Sequence, residues 1–187
     1  MTPAKVVVFL LALAPVAALV WRGLAGRLGA NPIEAVTHAT GDWTLRLLLV
    51  TLAVTPLREV LRLPELIRFR RMLGLFAFFY GCLHLLTYVW LDQFFDWGSI
   101  VKDVAKRPFI TAGFAGFVLL VPLAVTSTAG WIRRLGGRRW RLLHRLIYGT
   151  AALGVVHYWW LVKSDIRMPA LYGAILTLLL AYRVVRR

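Results

Sequence analysis

The sequence predicts an all-α membrane protein, a bundle of six transmembrane helices with its N and C termini in the cytoplasm. Hydrophobic residues make up 60% of the 187 residues, and the mean hydropathy is +0.71. A chain of this composition is far too apolar for a soluble domain of the same size. Apolar segments alternate with short loops rich in arginine, so we expect residues 1–187 to form a single transmembrane domain.

Six apolar segments are candidates for transmembrane helices. The first contains Pro15, which membrane helices tolerate, and no convincing small-residue cleavage site follows it, so we expect an uncleaved span. A polar stretch with the turn signal Asn31-Pro32 precedes the second span, which ends near Pro56. The predicted spans are about 6–21, 43–57, 72–91, 109–126, 142–162 and 170–185.

The distribution of basic residues predicts the orientation of these spans. The side that holds both termini carries 15 of the 23 Lys and Arg residues, and the other side carries 8 together with most of the acidic residues. Cytoplasmic loops carry an excess of Lys and Arg, so both termini are predicted to be cytoplasmic. The basic residues behind the net charge of +15 lie mainly between the apolar segments, where they set the membrane topology. We therefore expect contact with membrane lipid and no binding of nucleic acid.

Three of the four histidines lie inside predicted spans, where ionisable residues usually have a function. His84 is in the third span, and His144 and His157 are in the fifth. These two spans run parallel, and His84 lies 13 residues beyond Arg71 while His157 lies 16 beyond Arg141. His84 and His157 are therefore predicted to lie at similar depth in the outer half of the membrane, where they can share one cofactor.

His144 is predicted at the cytoplasmic end of the fifth span, at the depth of Arg70 and Arg71. It precedes His157 by 13 residues, about 20 Å along a helix, and about 100° per residue would leave the two side chains about 140° apart in azimuth. Local winding or helix tilt would have to absorb that difference. Each histidine also has a simpler interpretation, a hydrogen bond across the bundle. For His38, which is predicted at the membrane interface, capping or lipid contact is sufficient.

Haem is the favoured cofactor for His84 and His157. Two neutral imidazoles fill both axial positions of a haem iron, which suits electron transfer. A zinc or copper ion would need further ligands, and the single cysteine, Cys82, cannot supply them. Glycines within the spans, among them Gly113, are interpreted as permitting close helix approach. Arginines at the span ends are candidate partners of haem propionates or of another anionic cofactor. Alternatively, they set the membrane topology and contact anionic lipid. These arginines are Arg70, Arg71, Arg138 and Arg139.

Four motifs carry a family resemblance. They are NPIEAVTHATG, RRMLGLFAFFYGCLHLLTY, TSTAGWIRRLGGRRWRLLHRLIY and HYWWLVKSD. Through them nearly the whole chain resembles the MsrQ family, formerly YedZ, among the ferric-reductase-like transmembrane haem proteins.

The resemblance implies a subunit of the bacterial inner membrane with b-type haem, one or two per chain. Such a subunit passes electrons to MsrP, a periplasmic molybdopterin enzyme that reduces methionine sulfoxide in oxidised proteins, so that catalysis lies on the partner. It implies that His84, His144 and His157 are haem ligands and that FMN is also bound. We expect no soluble flavin or nicotinamide domain, and therefore expect electrons from the quinone pool or from a separate flavin reductase.

Two other classes of membrane protein remain as alternatives. A small transporter or channel is disfavoured because there is no evident inverted repeat, no paired break at mid-membrane and no mid-span carboxylate. A structural membrane anchor without a redox cofactor would need no histidines inside its spans.

Overall fold

The computed structural model describes residues 2–186, and within them the chain is all helical. The predicted all-α class is therefore confirmed. A 3-10 turn, Pro64–Leu66, precedes the third helix, and a π-helical stretch, Thr87–Asp92, extends it. The α-helices of this region are α1 (Pro3–Leu24), α2 (Pro32–Val60), α3 (Ile67–Leu86), α4 (Trp97–Lys106), α5 (Pro108–Val125), α6 (Ala129–Leu143), α7 (Leu146–Leu161) and α8 (Arg167–Val185).

Four helical segments of the described residues are long and apolar enough to cross a membrane. They coincide with the first, third, fourth and sixth predicted spans. The other two predicted spans, 43–57 and 142–162, fall within α2 and across the junction of α6 and α7. The count of six spans and the cytoplasmic position of the termini therefore stay predictions. The four segments are Pro3–Leu24, Pro64–Asp92, Pro108–Val125 and Arg167–Val185.

The second helix begins earlier than the sequence pattern indicated. The polar stretch before residue 43 is helical from Pro32 onward. The Asn31 side chain caps this helix by accepting a hydrogen bond from the backbone N–H of Glu34 at 3.2 Å. Pro32 occupies the first helical position, where its missing N–H costs nothing. The Asn-Pro pair is thus a helix start rather than a loop.

The predicted fifth span, 142–162, is not one helix. α6 ends at Leu143 and α7 begins at Leu146, with His144 and Arg145 between them. The basic stretch before this break, predicted as a loop, forms the amphipathic helix α6, which is kinked at Gly136, where φ is 73°. Because the helix is interrupted at His144, the azimuth of an ideal helix does not relate His144 to His157.

The connection between the third and fourth predicted spans also contains a helix. The carboxylate of Asp96 caps α4 by accepting hydrogen bonds from the backbone N–H and the hydroxyl of Ser99, at 3.1 and 2.9 Å. These bonds favour the charged form and hold the pKa of Asp96 below its usual range. α4 packs against α5 and buries Ile100.

Two helix pairs form the centre of the bundle. The most extensive contacts are those of α2 with α3 and of α5 with α7. The α2 and α3 pair buries Leu52 and Ala77, and α7 contributes Ala151, all three with no exposed surface. α1 buries only Ala12 fully, and most of its other apolar side chains are exposed, as on a lipid-facing helix. The site described below lies between these two pairs.

A tyrosine hydroxyl completes the helix turn around Pro15. The backbone N–H of Val16 donates to the Tyr80 hydroxyl at 3.1 Å, and that hydroxyl donates to the carbonyl of Ala12 at 2.9 Å. The hydroxyl thus stands between a donor and an acceptor that would bond directly in a regular helix. Tyr80 is 1% exposed, so α1 is tied to α3 by a buried polar contact.

An arginine satisfies the backbone group that Pro56 leaves unpaired. Proline has no N–H, so the carbonyl of Leu52, four residues earlier, has no partner within α2. The Arg183 guanidinium of α8 donates to this carbonyl at 2.6 Å, and the same guanidinium lies over the Tyr148 ring at 5.3 Å. A single side chain therefore connects α2, α7 and α8.

Candidate functional site: a pair of imidazoles between two helix pairs

His84 lies near the end of α3 with its ring against α2. Its Nδ1 is 3.0 Å from the backbone carbonyl oxygen of Thr37. A carbonyl can only accept, so Nδ1 carries the hydrogen and donates it. The other ring nitrogen, Nε2, is then unprotonated and has its lone pair available for a metal.

His157 repeats this arrangement on the other helix pair. It lies on α7, and its Nδ1 is 2.6 Å from the backbone carbonyl oxygen of Phe109, near the start of α5. The same reasoning assigns the hydrogen to Nδ1 and leaves Nε2 as a ligand. Such a hydrogen bond to the second nitrogen is the usual means by which proteins orient a metal-binding histidine.

The structure brings His84 and His157 together. Their ring centres are 6.0 Å apart and their planes are inclined at 76°. With metal–imidazole bonds of about 2 Å, two axial nitrogens on one metal lie about 4 Å apart, with the ring centres somewhat farther. The separation of the ring centres and the two tautomers are therefore compatible with ligation of one haem iron by both imidazoles. Within residues 2–186, no three His, Cys, Asp or Glu side chains form a cluster that could hold a metal ion.

His144 lies apart from this pair, at the junction of α6 and α7. Its Nε2 is 3.0 Å from the Thr126 hydroxyl, which itself donates to the carbonyl of Pro122 at 2.6 Å. The hydroxyl hydrogen is thus already used, so Nε2 of His144 is the donor and its Nδ1 is left free. The ring stacks on Trp140 at 3.9 Å, and the Trp140 indole N–H donates to the Thr126 carbonyl at 2.9 Å.

The remaining candidates are spread over the surface. His38 is exposed in the second turn of α2. Arg70 is half-buried and Arg71 is exposed, both in the first two turns of α3, about 20 Å along the helix from His84. Two more, Arg138 and Arg139, are exposed on α6, the helix that ends at His144. The structure thus places the four candidate arginines away from the imidazole pair.

Sequence reasoning missed a polar cluster formed by residues of α2, α7 and α8. Arg46 donates from Nε to the Tyr172 hydroxyl at 2.8 Å and from Nη2 to the Asp42 carboxylate at 3.2 Å. Tyr158, the neighbour of His157 in sequence, lies 6.1 Å from Tyr172 between ring centres. The opposite charges of Asp42 and Arg46, four residues apart at the start of the second predicted span, were the available signal.

Comparisons with known proteins identify the family of this chain. A family model described as the ferric reductase like transmembrane component matches residues 40–155. Three relatives, each named protein-methionine-sulfoxide reductase heme-binding subunit MsrQ, align with nearly the whole chain. The relative from Herminiimonas arsenicoxydans is 55% identical over 98% of this chain and 85% of its own. Those from Caulobacter vibrioides and Ralstonia nicotianae are both 56% identical, over 95% and 96% of this chain and 84% of their own.

The chain belongs to the MsrQ family. The resemblance seen in its motifs is thereby confirmed, and with it the assignment to transmembrane proteins of the ferric reductase type. The matched region contains His84 and His144 and ends two residues before His157. The three MsrQ relatives are named as haem-binding subunits.

Proposed function

We propose that this protein is the b-type haem electron-transfer subunit of a methionine sulfoxide reductase system in the bacterial inner membrane. It takes electrons from the quinone pool or from a separate flavin reductase and passes them to a periplasmic molybdopterin enzyme of the MsrP type, which repairs oxidised periplasmic proteins. The observation that carries the proposal is the His84 and His157 pair, whose rings lie 6.0 Å apart. The names of the MsrQ relatives support the haem assignment.

His84 and His157 are the residues that would hold a haem. Each Nδ1 is held by a backbone carbonyl, so both Nε2 atoms are available as ligands. A haem held by both residues would supply a one-electron carrier. In the proposed topology the pair lies in the outer half of the membrane, a short distance from a periplasmic partner.

His144 is proposed to serve a second cofactor on the cytoplasmic side, either another haem or FMN, or to support electron entry. Its Nε2 is engaged by Thr126, so a ligand role at this position would use Nδ1 or require the ring to turn. The basic residues of this end, Arg70 and Arg71 on α3 and Arg138 and Arg139 on α6, suit the propionates of a haem or the phosphate of FMN.

The periplasmic partner is proposed to dock on the outer connections, residues 22–43, 92–108 and 163–169. These segments carry mixed charge, which suits a weak and transient complex. Among them, α4 and its Asp96 cap present a defined surface.

One spectrum tests the proposed function against the alternatives of a membrane anchor or a small transporter. Purified protein, expressed with sufficient haem, should show a Soret band and a reduced α-band, and a pyridine haemochrome assay should give one or two b-type haems per chain. Quinol or a flavin reductase should reduce that haem. A colourless protein that is otherwise folded would reject the electron-transfer function and favour the anchor or transporter.

A further inference from the structure

Both histidines of the pair are held by the same backbone arrangement. The ring of His84 lies against Gly41 and donates to the carbonyl of Thr37, four residues before that glycine. The ring of His157 lies against Gly113 and donates to the carbonyl of Phe109, again four residues before the glycine. In each case one helix turn supplies both the carbonyl that accepts the hydrogen bond and the glycine against which the ring packs. The turn belongs to α2 for His84 and to α5 for His157.

A side chain at either glycine would collide with the imidazole. A Cβ on Gly41 would lie 3.0 Å from Cε1 and 3.1 Å from Nδ1 of His84. A Cβ on Gly113 would lie 2.7 Å from Nδ1 and 3.0 Å from Cε1 of His157. Carbon atoms in contact normally lie about 3.5–4.0 Å apart, so each ring would have to move. At both positions the hydrogen-bonded Nδ1 is among the atoms nearest to the added Cβ. The length and angle of the Nδ1 hydrogen bond would therefore change first.

Other glycines on the same helix interfaces do not share this property. A Cβ on Gly74 of α3 would come no closer than 3.6 Å to a methyl of Thr51 on α2. A Cβ on Gly149 of α7 would come no closer than 3.5 Å to a methyl of Leu119 on α5. Both are ordinary van der Waals contacts with apolar atoms. The general interpretation of glycines as residues for close helix approach fits Gly149, whereas Gly113 faces a histidine.

We propose that Gly41 and Gly113 are positioning residues for the imidazole pair, which set the ring orientations and the strength of the two Nδ1 hydrogen bonds. The inference rests on the proposed function, since the rings act as axial ligands only if haem is bound. A strong Nδ1 bond raises the basicity of a ligand nitrogen, and a more basic ligand favours the oxidised metal. The two glycines thereby hold the midpoint potential of the haem lower than a weaker bond would.

The test compares Gly41→Ala and Gly113→Ala with the control variants Gly74→Ala and Gly149→Ala, which lie on the same two interfaces. For each purified membrane protein we would measure the ratio of haem to protein, the electron paramagnetic resonance spectrum of the oxidised haem and the midpoint potential. Gly41→Ala and Gly113→Ala should shift the g values and raise the potential, with the larger shift in Gly113→Ala because its contact is shorter. The controls should match the wild type.

The outcomes separate this inference from the proposed function. Wild-type protein without a low-spin haem of two imidazoles would defeat the proposed function and, with it, the role of the glycines. Wild-type protein with such a haem, but Gly41→Ala and Gly113→Ala indistinguishable from it, would defeat the glycine role alone. Equal changes in all four variants would also defeat it, since general packing would then explain them. If Gly113→Ala does not accumulate in the membrane, the comparison of Gly41→Ala with Gly74→Ala still tests the proposal, because the contact at Gly41 is longer.

Discussion

The imidazole rings of His84 and His157 lie 6.0 Å apart, although they belong to α3 and α7 and each is held by a carbonyl from a different neighbouring helix. Neither ring depends on the other for its orientation. The orientations of the two imidazoles are therefore set by backbone carbonyls, and the relation between the rings follows from how the helix pairs pack.

Removing either histidine should remove the same haem. His84→Ala and His157→Ala each leave only one axial imidazole in a site that has two, so we expect haem content to fall similarly in both, by about tenfold or more, since loss of even an outer partner of a metal ligand can cost that much. Pyridine haemochrome assays on equal amounts of membrane protein measure it. His38→Ala, at an exposed position, is the control. Full low-spin haem in either variant would reject the pairing.

His144 offers a second test, because its ring is held by side chains rather than by a carbonyl. We expect His144→Ala to lower the content of a second haem or FMN, or to slow reduction of the outer haem by quinol, while the His84 and His157 haem remains. Thr126→Val removes the hydroxyl that accepts from Nε2 and should reproduce part of the effect. If His144→Ala changes neither cofactor content nor quinol-driven reduction, packing against Trp140 is its whole role.

The contact between Arg183 and the Leu52 carbonyl predicts a coupling with Pro56. Arg183→Ala leaves a buried carbonyl without a donor, which should lower the free energy of unfolding by about 1–3 kcal/mol. In a Pro56→Ala background the new N–H can serve that carbonyl, so the same arginine substitution should cost less. Unfolding of the four proteins in detergent completes the double-mutant cycle. Arg186→Ala, at an exposed position, is the control, and additive effects would contradict the assignment.

The acidic residues around α4 provide a test of docking and of topology. Asp92→Asn, Asp96→Asn and Asp103→Asn together should slow or otherwise alter electron transfer to the periplasmic partner without loss of haem, because they remove charge from the proposed docking surface. Asparagine caps a helix about as well as aspartate, so α4 should persist. Transfer is measured by stopped-flow oxidation of the reduced haem at low salt, with Glu59→Gln and Glu65→Gln together as the control.

A particular result would overturn this prediction. If transfer is unchanged in the aspartate variant while substitution of the arginines on α6 blocks it, the partner docks on the opposite face. The predicted topology or the direction of electron flow would then be wrong.

The parts of the structure that could be predicted are those with a signature in the side chains. The predicted depths of His84 and His157 were enough to anticipate that the two rings lie close together, because a predicted depth follows from counting residues along helices. The acceptors of their Nδ1 atoms are main-chain carbonyls, which any residue provides, so the sequence carried no sign of Thr37 or Phe109. Gly113 could be recognised only as a small residue in a span, because the sequence does not show whether an imidazole ring or a methyl group packs against a glycine.

The helix boundaries differ for a related reason. Asn31-Pro32 is a turn signal, but the same two residues also form a cap and a first helical position, and only the chain that follows distinguishes them. The loops that became α4 and α6 are polar and amphipathic, so a search for apolar segments of membrane length passes over them. The only indication of the break at His144 was the difference in azimuth that an uninterrupted helix would leave between His144 and His157.

The two imidazoles come from different halves of the bundle, His84 from the pair α2 and α3 and His157 from the pair α5 and α7. A group bound by both would join these halves in the manner of a cross-link, adding its binding free energy to that of folding. We expect newly inserted chains in haem-starved cells to be loosely assembled and accessible to membrane proteases. We also expect haem binding to be the last step of assembly. The half-life of the protein in pulse-chase experiments should therefore shorten when haem synthesis is blocked, and His84→Ala should be short-lived even when haem is plentiful.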